Sequence, residues 1–330
     1  LGFSNYLFSS QHSSWLVVVK IVHYNFKKNN SFGVLLGISG YAIFVLLDSI
    51  IKKYVVQHYP VFEIIFFICL FSFIPILVTL TIVGNWRGLI NNKIHIQLLR
   101  GILTGTAGAL IVNSFKYHAL TEIYPVLFSA PLILTTLSYF ILKENVNMLR
   151  WIAVIVGFIG VLVVARPGTF HFTLAILGLF FVAFILAINV LIIRLLANTQ
   201  SSIAFAFYGS IGGACVSGIF SYYNFVPLTL NDLFLLIFCG ILGGAAGLCI
   251  SGASKMLESS VFAPIQYVQL VAGCFLGYLF FNDLPDKYEI IGSIIIVCSG
   301  LFLIYHENKL KIRPLVSEKS RIREMFLRGH

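Results

Sequence analysis

An ionisable side chain inside an apolar helix costs about 2.5–3.5 kcal/mol to place in a bilayer, so it usually faces a cavity or a partner. Asp48 is such a residue, near the end of the run YAIFVLLDSI (41–50), and Asn189 takes the comparable place in LGLFFVAFILAINV (177–190). In PIQYVQL (264–270), Gln266 and Gln269 lie three residues apart on one helical face with Tyr267 beside them. Amide and phenol groups at mid-depth can orient a polar metabolite, and an aromatic face can stack on a ring or hold a cation. The same groups can instead serve hydrogen bonds between helices and nothing more. Asn113 and Tyr117 stand one turn apart at the end of a third apolar run, with Tyr117 near the headgroups. Asp48 has two readings: a substrate or proton-coupling carboxyl, or the partner of Lys52 one turn later near a helix end.

Lys116 and Lys255 end two apolar runs on opposite membrane faces. Either they snorkel to headgroups, or they act as gates that pair in turn with Glu122 and Glu258. Nothing suggests catalysis. All eight histidines fall outside or at the ends of the apolar runs, and GxSxG, HExxH and paired acidic motifs do not occur. The six cysteines show no CxxC and no histidine at ligand spacing, which points to buried free thiols. The expectation is no catalytic residue, no metal and no cofactor.

These side chains need elements that cross a membrane. Charged residues make up 10% of the chain, where a soluble domain carries about 25%, and mean hydropathy is +0.96. The fold class is therefore an all-α membrane protein. Apolar runs of about 20 residues span a bilayer, and ten are expected: 32–51, 61–83, 95–115, 122–142, 150–165, 172–193, 201–221, 233–252, 260–281 and 288–305. Residues 1–31 read as a loose or interfacial extension, because Lys20 breaks their apolar run. The net charge of +10 is spread over helix ends and a basic tail rather than a stripe interleaved with aromatics, which argues against nucleic acid. With the N-terminus inside, 17 of the 22 Lys and Arg are cytoplasmic and five are not, so both termini are expected in the cytoplasm.

Residues 100–144 align without a gap on 239–283 at an offset of 139. Gly101, Gly105, Gly108, Lys116 and Pro125 recur as Gly240, Gly244, Gly247, Lys255 and Pro264. Apolar bias alone does not set paired glycines, prolines and a lysine in one register, so the chain reads as duplicated. The halves are 32–166 and 167–306, meeting at Arg166-Pro167-Gly168, with 307–330 as a basic cytoplasmic tail. Five spans per half is an odd number, so the second copy enters the membrane inverted. Inverted repeats are the architecture of alternating access, with the substrate near the midplane between halves. Gly101-x-x-x-Gly105 and Gly240-x-x-x-Gly244 let backbones approach closely. That motif serves packing within one chain and a homodimer equally well, so both stay open here. Pro125 and Pro264 are expected to start or kink their helices.

The chain also resembles a known family. Phe128-Ser129-Ala130-Pro131-Leu132, Lys143-Glu144, Gly157-Phe158-Ile159-Gly160-Val161, Arg166-Pro167-Gly168 and Ala263-Pro264-Ile265-Gln266-Tyr267 are similar to the EamA branch of the drug/metabolite transporter superfamily. Asp283 departs from it, where the family usually has Glu. The resemblance covers residues 33–306 and implies a ten-helix carrier whose cavity is lined by spans one, three, four, six, eight and nine. Among its characterised members, S-adenosylmethionine uptake carriers look nearest, and an acidic Asp48 with an aromatic Tyr267 would suit a sulfonium and an adenine ring. The expected function is a secondary transporter of a small polar or amphipathic metabolite in the bacterial inner membrane. Its partners would be that metabolite and the lipid bilayer. An exporter of amino acids or drugs, and a membrane scaffold or motif-free enzyme, are the alternatives.

Overall fold

The computed structural model describes residues 30–84, 86–89, 94–142, 148–166, 174–196, 201–257, 262 and 265–309. Every regular element among them is helical. The elements are α1 (Asn30–Ile50), α2 (Val61–Val83), α3 (Ile94–Ser114), α4 (Leu120–Leu127), α5 (Ala130–Leu142), α6 (Met148–Ala165), α7 (Leu174–Leu196), α8 (Ser202–Tyr223), α9 (Leu230–Met256), α10 (Val268–Phe281) and α11 (Lys287–Lys309). Among the described residues, seven helical stretches, from Ser31–Val55 to Leu230–Ser254, are long and apolar enough to cross a membrane, and Trp151–Ala165 and Val268–Phe281 are shorter apolar helices. The chain is a multi-pass membrane protein.

Several boundaries differ from the sequence reading, for reasons that lie in the backbone. The run 122–142 is one span by hydropathy but two helices in the structure, interrupted at Phe128 and Ser129. Pro131 has no N–H to give the Leu127 carbonyl and its ring crowds that position, so the ladder breaks there. Pro125 lies buried inside α4 and neither starts it nor ends it. The first span runs past Ile50 as a π-helical turn, Ile51–Val55, in which the Val56 N–H bonds the Ile51 carbonyl at 3.0 Å. In the ninth, residues 266–267 form a turn before α10, and Pro264 lies outside the described residues. The helix α6 stops at Arg166, whose φ of 46° is left-handed, because the residue before a proline is barred from continuing the α conformation. Residues 1–29 and the tail beyond Lys309 lie outside the described residues.

Glycines set the close crossings. A Cβ on Gly101 would collide with the Tyr208 carbonyl, and one on Gly105 would sit 2.6 Å from Gly213 Cα, so α3 and α8 meet backbone to backbone. In the second half a Cβ on Gly240 would strike Phe71, and one on Gly244 would lie 2.6 Å from Pro75 Cγ, so α9 meets α2 in the same way. Gly33, Gly37 and Gly40 seat α1 on α9 and Ile265, and Gly160 meets Gly292 where α6 crosses α11. The remaining close packing follows the same exchange between halves: α1 lies on α9 and α10, and α7 lies on α3 and α5.

Apolar packing is distributed unevenly along these helices. At the Ile50 end of α1 one cluster joins Val45, Ile51, Ile64, Phe115, Tyr124, Val161, Leu179, Leu236 and Ile296, drawn from seven helices, the π turn and the turn after α3. At the Asn30 end it divides. Ala253, Leu257 and Ile265 pack with Val34, Leu36 and Tyr41, while Leu134, Ala187 and Leu191 pack with Ile133 and Leu137 in a separate group. The α1–α9–α10 group and the α3–α5–α7 group therefore share apolar packing at one end and keep separate clusters at the other.

Candidate functional site

Asp48 lies in the last turn of α1, at the joined end, and is half-buried. Its Oδ2 accepts a hydrogen bond of 2.9 Å from the hydroxyl of Tyr124, on α4. Lys52 does not pair with it. The Lys52 ammonium instead donates to the His118 carbonyl at 2.7 Å and stands 4.9 Å from the centre of the Phe281 ring. The π turn changes the helical register just after Asp48, which is how a lysine four residues on comes to bond another element. Two polar contacts hold this region together: Tyr124 on α4 bonds Asp48 on α1, and Lys52 in the π turn bonds His118 just before α4.

Tyr124 was not singled out from the sequence. It is 2% exposed, and its ring fills a notch at Gly273 of α10, where an added Cβ would come within 2.7 Å of Cδ2. A signal existed: at the 139-residue offset Tyr124 stands opposite Ala263, a polar aromatic against a methyl. His118 falls just past the end of an apolar run in the sequence. It is buried, and its Nδ1 lies 2.6 Å from Glu122 Oε2. Glu122 is thus engaged by His118 rather than by Lys116, which is half-buried in the turn after α3. The Lys255 side chain and Glu258 lie outside the described residues.

The other sequence candidates do not gather around Asp48. Tyr267 turns toward α11: its hydroxyl occupies the space a Cβ on Gly300 would take, and its ring meets Phe128 edge-on at 5.4 Å. Gln266 and Gln269 are half-buried on the turn and first residues of α10, joined through the backbone by a 2.9 Å bond from the Gln269 N–H to the Gln266 carbonyl. Asn189 is 6% exposed, and its Oδ1 is buried without a hydrogen-bond partner among the described residues. Leaving such an acceptor unmet costs about 1–3 kcal/mol, so it is a position that a ligand or water would satisfy. Asn113 is half-buried in the last turn of α3, and Tyr117 is exposed.

One further expectation is corrected. The cysteines are not uniformly buried, since Cys215 and Cys298 are exposed on their helices and only Cys239 is fully buried. Glu63 is 0% exposed, and its Oε2 accepts the Val226 N–H at 3.0 Å, tying α2 to the connection between α8 and α9. A third anchor at the joined end ties α6 to α11. The Arg166 guanidinium donates to Asp286, lies 3.8 Å from Glu289 Oε1 and stacks 4.8 Å from the Tyr288 ring centre. Asp286 caps α11 reciprocally: its Oδ1 accepts from the Tyr288 and Glu289 N–H groups, and Glu289 Oε2 accepts from its own. Partial burial pushes the Asp286 carboxyl up, but the Glu289 N–H and the Arg166 guanidinium outweigh it and hold the group below its ordinary range.

Comparison with known proteins accords with this arrangement. The chain is 29% identical over 263 residues to an S-adenosylmethionine uptake transporter of Rickettsia prowazekii, covering 80% of this chain and 89% of that one. It is 23% identical over 278 residues to a pseudopaline exporter of Pseudomonas aeruginosa, covering 82% and 95%. A solved crystal structure superposes with a TM-score of 0.62 at 16% identity, covering 87% of this chain and all of the other, a likeness of fold alone. The EamA-like transporter family model matches residues 31–166 and again 173–305. Two matched segments taking in most of the chain, on a helical membrane fold, make it a member of the EamA-like transporter family, and so a membrane transporter rather than an enzyme.

Proposed function

We propose that the chain is a secondary carrier that moves a small, positively charged metabolite across the bacterial inner membrane by alternating access, with S-adenosylmethionine as the substrate. The observation that carries this reading is the uneven packing: the α1–α9–α10 and α3–α5–α7 groups joined at the Asp48 end and separately clustered at the other. That is the form of a two-sided carrier resting closed to one side. The halves 32–166 and 167–306 would be inverted repeats of five spans each, ten in all, with both termini in the cytoplasm. On that orientation the joined end is periplasmic and the resting state opens inward. Paired crossings, α3 on α8 answered by α9 on α2, support the repeat.

Asp48 is the carboxylate at the inner edge of the joined end, and no basic side chain reaches it among the described residues. It would meet the sulfonium of the substrate, while Asn189, Asn113, Gln266 and Gln269 supply amides along the path. Tyr267, in the turn before α10 and facing α11, would shape the wall there. Lys116 and Lys255 would act at the two mouths. Asp48 is also the candidate for proton coupling, releasing a carboxyl proton to water as the cation binds. The uptake names of relatives such as the Rickettsia protein favour import; the pseudopaline exporter keeps an exporter of another small metabolite as the second reading.

The test is counter-flow in proteoliposomes with labelled S-adenosylmethionine, amino acids and riboflavin in parallel. S-adenosylmethionine uptake should saturate and should accelerate with unlabelled substrate inside. Uptake of another class alone would move the substrate assignment, and uptake equal to empty liposomes for all three would remove the carrier reading.

A further inference from the structure

Tyr124 stands where three elements meet. From α4 its hydroxyl reaches Asp48 on α1 at 2.9 Å, and its ring lies in the Gly273 notch of α10. Nearby contacts join the same pair of helix groups. Lys52 beyond α1 donates to the His118 carbonyl just before α4, and Thr121 Cγ2 lies 3.9 Å from where a Gly277 Cβ on α10 would be. On one side of this junction α1 packs with both α9 and α10, while α4 and α5 continue one span that packs on α7. At the far end those groups have separate apolar clusters. A carrier that opens toward the joined end must part α4 from α1 and α10, and the Tyr124–Asp48 bond lies on that parting line. The π turn beside Asp48 supplies a place where α1 can change register, since such turns are local irregularities that an α-helix can lose or gain.

We infer that Tyr124 is the gate residue of the joined end, and that its hydrogen bond to Asp48 is exchanged for the substrate's positive charge when the carrier loads. Loading and unlatching are then one event, because the carboxylate that receives the cation is the one that holds the gate. The inference rests on the reading that Asp48 meets the substrate. Glycine at 273 fits the same account: the notch that receives the Tyr124 ring exists because no Cβ is present there.

The experiment uses the full chain with its six native cysteines replaced and the pair Thr121→Cys and Gly277→Cys introduced across the α4–α10 junction. The added Gly277 Cβ meets only ordinary van der Waals contacts, so the pair is sterically accommodated. Oxidation should form the crosslink, stop counter-flow and be reversed by a reductant. Adding Tyr124→Phe keeps the ring in its notch and removes the hydroxyl, and it should slow crosslinking at least fivefold. Saturating S-adenosylmethionine should slow it similarly in the parent. Asp48→Leu, which removes the acceptor, serves as the second variant should Tyr124→Phe fail to fold. Crosslinking of the Tyr124→Phe protein at the parental rate would overturn the inference. Fivefold slowing by Tyr124→Phe in a protein that shows no counter-flow and no ligand response would keep the gate bond, overturn the exchange and sink the substrate reading.

Discussion

The glycine crossings and the Asp48–Tyr124 junction hold the same helices together by opposite means. At the crossings, α3 on α8 and α9 on α2, backbones touch because Gly101, Gly105, Gly240 and Gly244 carry no Cβ. Both halves have the device in register. Close packing of this sort is tight, and it lacks a second arrangement at small cost. At the junction a single hydroxyl spans two helices, and the other half offers Ala263 at the corresponding position. The duplicated feature builds the frame, and the feature present in one copy is placed to move. On the proposed repeat, function is to be sought where the two copies differ.

The largest expected effect lies in the frame. Gly101→Leu or Gly244→Leu drives a side chain into a neighbouring backbone, and overpacking of this kind costs about 1–3 kcal/mol or more. Loss of the monodisperse peak in detergent and of cooperative thermal unfolding is the expected result; a folded, active variant would show that the crossings yield. Next comes Asp48→Asn, which keeps the shape and an acceptor for Tyr124 but loses the charge. Uptake should fall at least tenfold with thermal stability within a few degrees of wild type. Equal uptake would remove Asp48 from the substrate path.

A smaller effect is expected at the Arg166–Asp286 anchor. The folded carboxyl of Asp286 titrates below its ordinary range, so its contribution is complete above about pH 4 and fades as pH falls through the folded value. Asp286→Asn should therefore melt a few degrees below wild type at pH 7, with the gap narrowing as the pH is taken below about 4. A gap that widens in acid would contradict the sign. The smallest effect sharpens the comparison within one helix. Gly247 has no heavy atom within 4 Å of an added Cβ, whereas Gly244 is closed in by Ser72 and Pro75. Gly247→Ala should leave stability unchanged or raise it by up to about 1 kcal/mol, and Gly244→Ala should lower it.

Much of the frame was legible in the sequence because bilayers impose simple rules on composition and length. The recurrence of glycines at one offset pointed to close packing, and the structure shows which helices use it. The junction was harder to read. Asp48 stood out as a charge in an apolar run, but the i, i+4 rule suggested Lys52 as its alternative partner, and a π turn moves that lysine to the His118 carbonyl. Tyr267 stood out as a phenol between two glutamines. Its orientation depends on Gly300, more than thirty positions away, and no local pattern reports that. Tyr124 was hidden in an apolar stretch whose length read as one span. The break at Phe128 and Ser129 places it on a short helix of its own.

The most direct test of the central claim is competition in counter-flow of labelled S-adenosylmethionine between S-adenosylmethionine and S-adenosylhomocysteine, which lacks the sulfonium charge. The account predicts that the wild-type carrier favours the charged compound by at least tenfold, and that Asp48→Asn erases most of this preference while the protein stays folded. Equal competition by the two compounds in the wild type, or an undiminished preference in Asp48→Asn, would contradict it.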